Sequence, residues 1–178
     1  MKKIFVLTGL LLGVLVSCSD KPSLQKYFVE KSKTPNFVAL DVAPNFVNAD
    51  KITLSNDEKE ALKSLKKLNM LIFKNDSLNV DLYSTEQNNV KTLLKNEQYE
   101  ELMHFGSNKE GGTIYTVGDD DEIDEFIFFM HQRDSGFGVV RLLGDDMNPS
   151  NIMTMVSLMQ KGNLNLEQLA PLKQLMIK

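Results

Sequence analysis

The sequence predicts a single α+β domain: a mixed sheet of about five strands, covered by helices. Two observations point to it. From Thr113 to Leu143, three β-rich runs follow one another across short polar turns, which makes them antiparallel neighbours in a C-terminal three-stranded meander. Upstream, helical and extended patterns alternate, with no internal repeat and no long linker. At 178 residues, 42% hydrophobic, with ten Gly and five Pro, the chain is outside the collagen-like, low-complexity and disordered classes and is short for two ordinary domains.

The first residues belong to a leader. Lys2 and Lys3 form a charged start, Ile4 to Val16 an apolar core broken only by Thr8 and two glycines, and Leu15-Val16-Ser17-Cys18 follows. This resembles a bacterial lipoprotein signal peptide with its lipobox, in which residues 1–17 are removed and Cys18 carries the lipid. The apolar run is shorter than the ~20 residues needed to span a bilayer. Cys18 is the only cysteine, so no disulfide forms within the chain and the fold rests on its apolar core. Several acyl chains would hold it firmly, at about 0.8 kcal/mol per buried CH₂. Residues 18–23 make a short tether in which only Ser19, Asp20 and Lys21 separate Cys18 from Pro22, so at up to ~3.6 Å per extended residue it reaches about 15 Å. The domain, residues 24–178, is thus expected close to a membrane.

The elements follow in order. Pro22-Ser23 opens a short helix with Leu24, Tyr27 and Phe28 on one face, ending before Thr34-Pro35. Phe37 to Ala43 alternates as a strand, stopped by Pro44. Ser55-Asn56-Asp57-Glu58 has capping-box spacing, and Ala61, Leu62, Leu65 and Leu68 mark the buried stripe of the helix it starts. Met70 to Phe73 is a second strand, which the intervening helix would place parallel to the first by a right-handed crossover. Ser84 or Thr85 caps a helix carrying Val90, Leu93 and Leu94, and Tyr99 to Phe105, with Leu102 and Met103, continues the helical reading until Gly106. The meander comprises Thr113–Val117, Ile123–His131 and Phe137–Leu143. Its middle run is apolar throughout Phe126 to Met130, as in a central strand covered on both faces. Pro149 to Lys161 is an amphipathic helix with Ile152, Met153, Val156 and Met159, and leucines at 166, 169, 172 and 175 suggest a last short helix packing back.

Together the lipobox, the strand and capped helix of residues 37 to 68, Tyr99-Glu100-Glu101-Leu102-Met103 and the meander ending in Val139-Val140-Arg141-Leu142-Leu143-Gly144 resemble the Bacteroidetes lipoprotein family known as domain of unknown function 4252. The resemblance covers about Leu24 to Lys161. It implies a Gram-negative envelope lipoprotein, with residence in the outer membrane, and it carries over no functional residue because the family has no established activity.

Chemistry-bearing motifs are sparse. The net charge of −4 argues against a nucleic-acid partner, whose affinity comes from cations on phosphates. Without thiols beyond Cys18 there is no cysteine nucleophile or Cys-rich zinc site, and the sequence has no P-loop, nucleophile elbow or dinucleotide turn. His104 and His131, the two histidines, lie in no ligand spacing. His131 and Arg141 sit in apolar strands and read as rim or edge residues, with Arg141 needing a carboxylate or an exit to solvent. Met153, Met155 and Met159 read as core packing. Six of the seven residues from Asp119 to Glu125 are acidic, and Asp145 and Asp146 add two more. In a meander both loops fall at one end of the sheet, two strand spacings of ~4.8 Å apart. Asp119, Asp121 and Asp145 are therefore candidate ligands for Ca²⁺, which takes six to eight oxygens, against the plainer reading of hydrated turns. No catalytic residue and no cofactor is expected. The functional expectation is a non-enzymatic, lipid-anchored envelope module with a protein or small-ligand partner; the alternative is an envelope hydrolase with an unrecognised active site.

Overall fold

Pairing of the β-rich runs builds one wide sheet. The computed structural model describes residues 22–43, 53–75, 79–119 and 122–160. In chain order the elements are α1 (Leu24–Lys31), β1 (Phe37–Val42), α2 (Asn56–Ser64), β2 (Leu65–Lys74), α3 (Val80–Leu93), β3 (Glu100–Gly106), β4 (Glu110–Asp119), β5 (Glu122–Gln132), β6 (Gly136–Met147) and α4 (Pro149–Gln160). The leader, Cys18 and the leucine-bearing stretch 164–176 lie outside the described residues. The six strands lie in the order β1-β2-β6-β5-β4-β3. All neighbours are antiparallel.

The α+β class and the β4-β5-β6 meander agree with the sequence. The sheet is nonetheless antiparallel throughout rather than mixed, and it has a sixth strand. β1 ends at Val42 opposite Leu68, near the start of β2, so the connection leaves and re-enters the sheet at one end and makes no parallel crossover. The capping box forms as expected: Glu58 N donates to Ser55 Oγ at 3.2 Å, and Ser55 N donates to Glu58 Oε2 at 2.8 Å. The helix it starts stops at Ser64 and runs straight into β2. Leu65 and Leu68 belong to that strand. Lys66 is an extra residue there, since Leu65 lies opposite Gly144 and Lys67 opposite Leu143. Such a bulge shifts the side-chain alternation by one, so residues three apart face the same way and imitate a helical stripe.

β3 repeats the device. Leu102 is the extra residue between Glu101, opposite Tyr115, and Met103, opposite Ile114, so the expected helical continuation is an edge strand. Gly106, at φ +86°, closes its hairpin; a Cβ there would stand 2.4 Å from Gly111 Cα. The helix before it begins at Val80 after Asn79, not at Ser84 or Thr85; Thr85 Oγ1 instead donates to Asp81 O inside the helix.

Strand alternation gives the sheet two faces, each with its own core. On one face the row Phe37, Phe73, Phe137 joins β1, β2 and β6, with Phe73 and Phe137 stacked 5.2 Å apart. α1 closes it with Leu24, Tyr27 and Phe28, and α3 with Tyr83, Val90 and Leu94. On the other face Val42, Leu68, Leu142 and Phe126 pack under Ala61 of α2 and Leu158 of α4. Met153 of α4 is 69% exposed, so it is not the core residue the sequence suggested, and the side chains of Met155 and Met159 lie outside the description.

A buried ion pair ties α1 to the sheet. Arg141 finds its carboxylate in Glu125 on the neighbouring strand, Nε and Nη2 donating to Oε1 and Oε2 at 2.5 and 2.9 Å. Its Nη1 donates to Gln25 Oε1 of α1, and its guanidinium lies 5.4 Å from the Phe28 ring centroid. Beside it, Glu86 of α3 accepts from Tyr27 Oη at 2.8 Å and Lys31 Nζ at 2.5 Å, joining the two helices. Burial pushes the Glu86 carboxyl up, and these donors more than offset it, leaving its pKa below the usual range.

Two outcomes follow for stability. Phe126→Ala, at a fully buried position, should cost about 3–5 kcal/mol in urea unfolding, and the half-buried Phe128→Ala clearly less. Glu125→Gln should cost about 3–5 kcal/mol by stranding Arg141, whereas Glu125→Leu combined with Arg141→Met should recover most of that loss in the same titration.

Candidate functional site

β3 contributes seven exposed residues to the far edge of the sheet. Between that edge and the end of α3, on the Phe-rich face, lies a cavity of about 650 Å³. That is within the ~300–1,000 Å³ typical of small-molecule sites. Its walls come from Lys91 in the last turn of α3, the turn to β3 (Leu94, Lys95, Glu97, Tyr99), β3 (Glu101, His104), the β3–β4 turn, β4 (Thr113, Tyr115), β5 (Phe129, His131) and Arg133 in the β5–β6 turn.

The backbone sets one rim of the cavity, where Ser107 and Asn108 of the β3–β4 turn line it. The Phe37-Phe73-Phe137 row continues through His131 to Gly111 and Gly106, so at β4 and β3 it carries no side chains. Over Gly111 the β3–β4 turn folds back; a Cβ there would lie 2.6 Å from Phe105 O and 3.1 Å from Ser107 O, so the turn requires glycine. Tyr99 fixes the other wall, its hydroxyl accepting the first amide of α1, Leu24 N, at 3.3 Å.

The two histidines meet here by different routes. His104 Nδ1 lies 2.9 Å from Thr113 Oγ1, its partner across β3 and β4. His131 stacks on Phe129 at 5.8 Å, and its Nδ1 is buried with no partner among the described residues. Burial, then the nearby positive charge of Lys91, holds the His131 pKa below its usual value despite a bond to the backbone of Ser107. Lys91 Nζ lies 5.9 Å from the Phe129 ring centroid. Lys91, Lys95 and Arg133 are exposed and, among the described residues, join no ion pair.

On the opposite face the same edge of the sheet is apolar and bare. Met103, Phe105 and Met130 are each more than 40% exposed, and the Phe105 ring lies over Gly112.

The acidic candidates lie elsewhere. Asp119 closes β4 and Asp145 is near the end of β6; both are exposed, and Asp145 pairs with Lys66. Asp121 and Cys18 lie outside the described residues. Glu125, the last of the acidic run, points into the core toward Arg141. Among the described residues no three His, Cys, Asp or Glu side chains are placed to hold a metal ion, and no helix is long and apolar enough to cross a membrane. Sequence reasoning reached His131 as a polar residue in an apolar strand but not Lys91, Tyr99 or Thr113, whose meeting depends on the order of the strands.

No curated protein and no solved structure matches the chain. The family model of the domain of unknown function DUF4252 matches residues 27–155, spanning α1 through most of α4 and with them the whole sheet and every wall of the cavity. The chain belongs to this family, domain of unknown function 4252.

Proposed function

We propose that this protein is a lipid-anchored module of the cell envelope, held in the outer membrane through Cys18, that binds a small ligand in the cavity beside α3. The observation that carries the binding reading is the cavity itself: about 650 Å³, floored by the sheet and lined by polar groups from separate elements. The lipobox and the short tether to Pro22 support anchoring.

One contact favours the hydrolase reading, the 2.9 Å approach of Thr113 Oγ1 to His104 Nδ1, a hydroxyl beside a base. Against it stands the backbone. Thr113 is in mid-strand, and Gly112, Thr113 and Ile114 are each paired on both sides, with β3 and with β5. Their amides are committed to the ladder, so they do not offer the paired free donors of an oxyanion hole.

Cys18→Ser should release the protein from the membrane fraction or block its maturation, and unchanged detergent partitioning would overturn the anchor. For the cavity, the lipoprotein purified from envelopes should yield a small molecule on denaturation that mass spectrometry no longer finds with His104→Trp, a change on the exposed edge strand that fills the hollow. Identical extracts from the two proteins, with matching unfolding midpoints, would overturn binding there. Ester hydrolysis that disappears with Thr113→Val would favour the hydrolase instead.

A further inference from the structure

We propose that the cavity takes an oxyanion, a phosphate or carboxylate group, between Lys91 and Arg133 in front of the His131 ring. The inference rests on reading the cavity as a binding site and adds the chemical class of what enters.

The charge distribution carries it. In a chain of net charge −4, the cavity gathers Lys91, Lys95 and Arg133 against Glu97 and Glu101. Glu97 is beside Lys95 in the turn after α3, but Glu101 is set apart from Lys91 and Arg133. Lys91 lies over Phe129 of β5 and Arg133 follows the end of β5, whereas Glu101 is on β3, two strand spacings of ~4.8 Å away. A lysine in the last turn of a helix commonly serves the helix dipole. Lys91 instead sits over the aromatic floor, and Arg133 reaches the same cavity from a turn with no helix to serve. An anion entering at the β5 side supplies the negative partner that neither cation has within the described structure.

His131 makes the site responsive to pH. The groups that face it are Lys91 from α3, His104 from β3 and the Ser107 backbone of the β3–β4 turn, with Arg133 two residues along its own chain and Glu101 across the cavity. Burial and Lys91 keep the ring neutral near pH 7. A bound anion offsets Lys91 and favours the imidazolium, so binding takes up a proton, and affinity falls as pH rises through the His131 pKa of the complex.

With two histidines in the chain, imidazole NMR of the full lipoprotein in detergent micelles gives two titration curves. The probes are inorganic phosphate, succinate, glucose as a neutral solute, and sodium chloride at matched ionic strength. Phosphate or succinate should raise the His131 midpoint saturably and chloride should not. Lys91→Met and Arg133→Gln should each weaken the half-saturating concentration at least tenfold, with Lys66→Met, outside the cavity, unchanged. A rise seen in phosphatidylglycerol nanodiscs but not with free anions would assign the oxyanion to a lipid headgroup. If glucose moves the His131 signal and no anion does, the cavity binds and the oxyanion inference falls. If no probe moves it, both readings fall.

Discussion

A six-stranded sheet is wider than the helices that cover it. Five spacings of ~4.8 Å make the sheet about 24 Å across, and a helix is ~10 Å wide, so two helices on a face cover four strands and part of a fifth. α1 and α3 lie on one face, α2 and α4 on the other. Among the described residues the deepest burial therefore falls on β2, β6 and most of β5, and β3 with the adjoining ends of β4 and β5 is left uncovered. Two surfaces originate in that remainder: on one face it contributes to the cavity, and on the other it is the apolar strip of Met103, Phe105 and Met130.

The same geometry decides how charges are treated. Under the helices, each buried ionic group is matched: Arg141 has Glu125 and Gln25, and Glu86 has Lys31 and Tyr27. These pairs fasten α1 to β5 and β6 and α1 to α3, which fixes where α3 ends and hence where Lys91 stands. Breaking one partner of such a pair leaves an uncompensated charge in the core. Around the end of α3 the matching stops, and Lys91, Lys95, Arg133 and the Nδ1 edge of His131 border a hollow. The three cations there are exposed, so solvent carries their charge, and the buried Nδ1 of His131 is the polar atom left without a partner among the described residues.

Local signals in the sequence were faithful where strand alternation is unbroken. The polar turns around Gly118 and Gly136 marked the meander, the Ser55 and Glu58 spacing marked α2, and Leu24, Tyr27 and Phe28 marked the buried face of α1. Legibility failed at the bulges. Lys66 and Leu102 each insert one residue into a pairing, which turns a spacing of two into a spacing of three, and three is what a helix also gives. Acidity misled for a different reason: in the run from Asp119 to Glu125, composition cannot separate Asp119, which is solvated, from Glu125, which is buried against an arginine sixteen residues later. The cavity was illegible because its walls come from seven segments whose meeting depends on the order β6-β5-β4-β3, a property of the sheet and not of any window of sequence.

On the proposed anchoring, the start of the folded chain meets the cavity wall at the Tyr99 hydroxyl. Tyr99 lines the cavity and accepts the first amide of α1, so the cavity wall and the start of the folded chain are one rigid contact. On the proposed lipidation, only Ser19, Asp20 and Lys21 lie between Cys18 and Pro22, and ~3.6 Å per residue sets that start within about 15 Å of the membrane surface. The cavity is then held beside the headgroup layer, where an anionic lipid surface would repel a mobile anion and a free metabolite would arrive from the aqueous side. Unpaired lysine and arginine side chains at the mouth of such a site offset that repulsion locally, with a reach of about one Debye length, ~8 Å at physiological salt. On the proposed anchoring, a cavity bearing three cations on an acidic chain is thus a consistent arrangement, in which the anchor would set where a ligand is met and the uncovered edge of the sheet would set what is held.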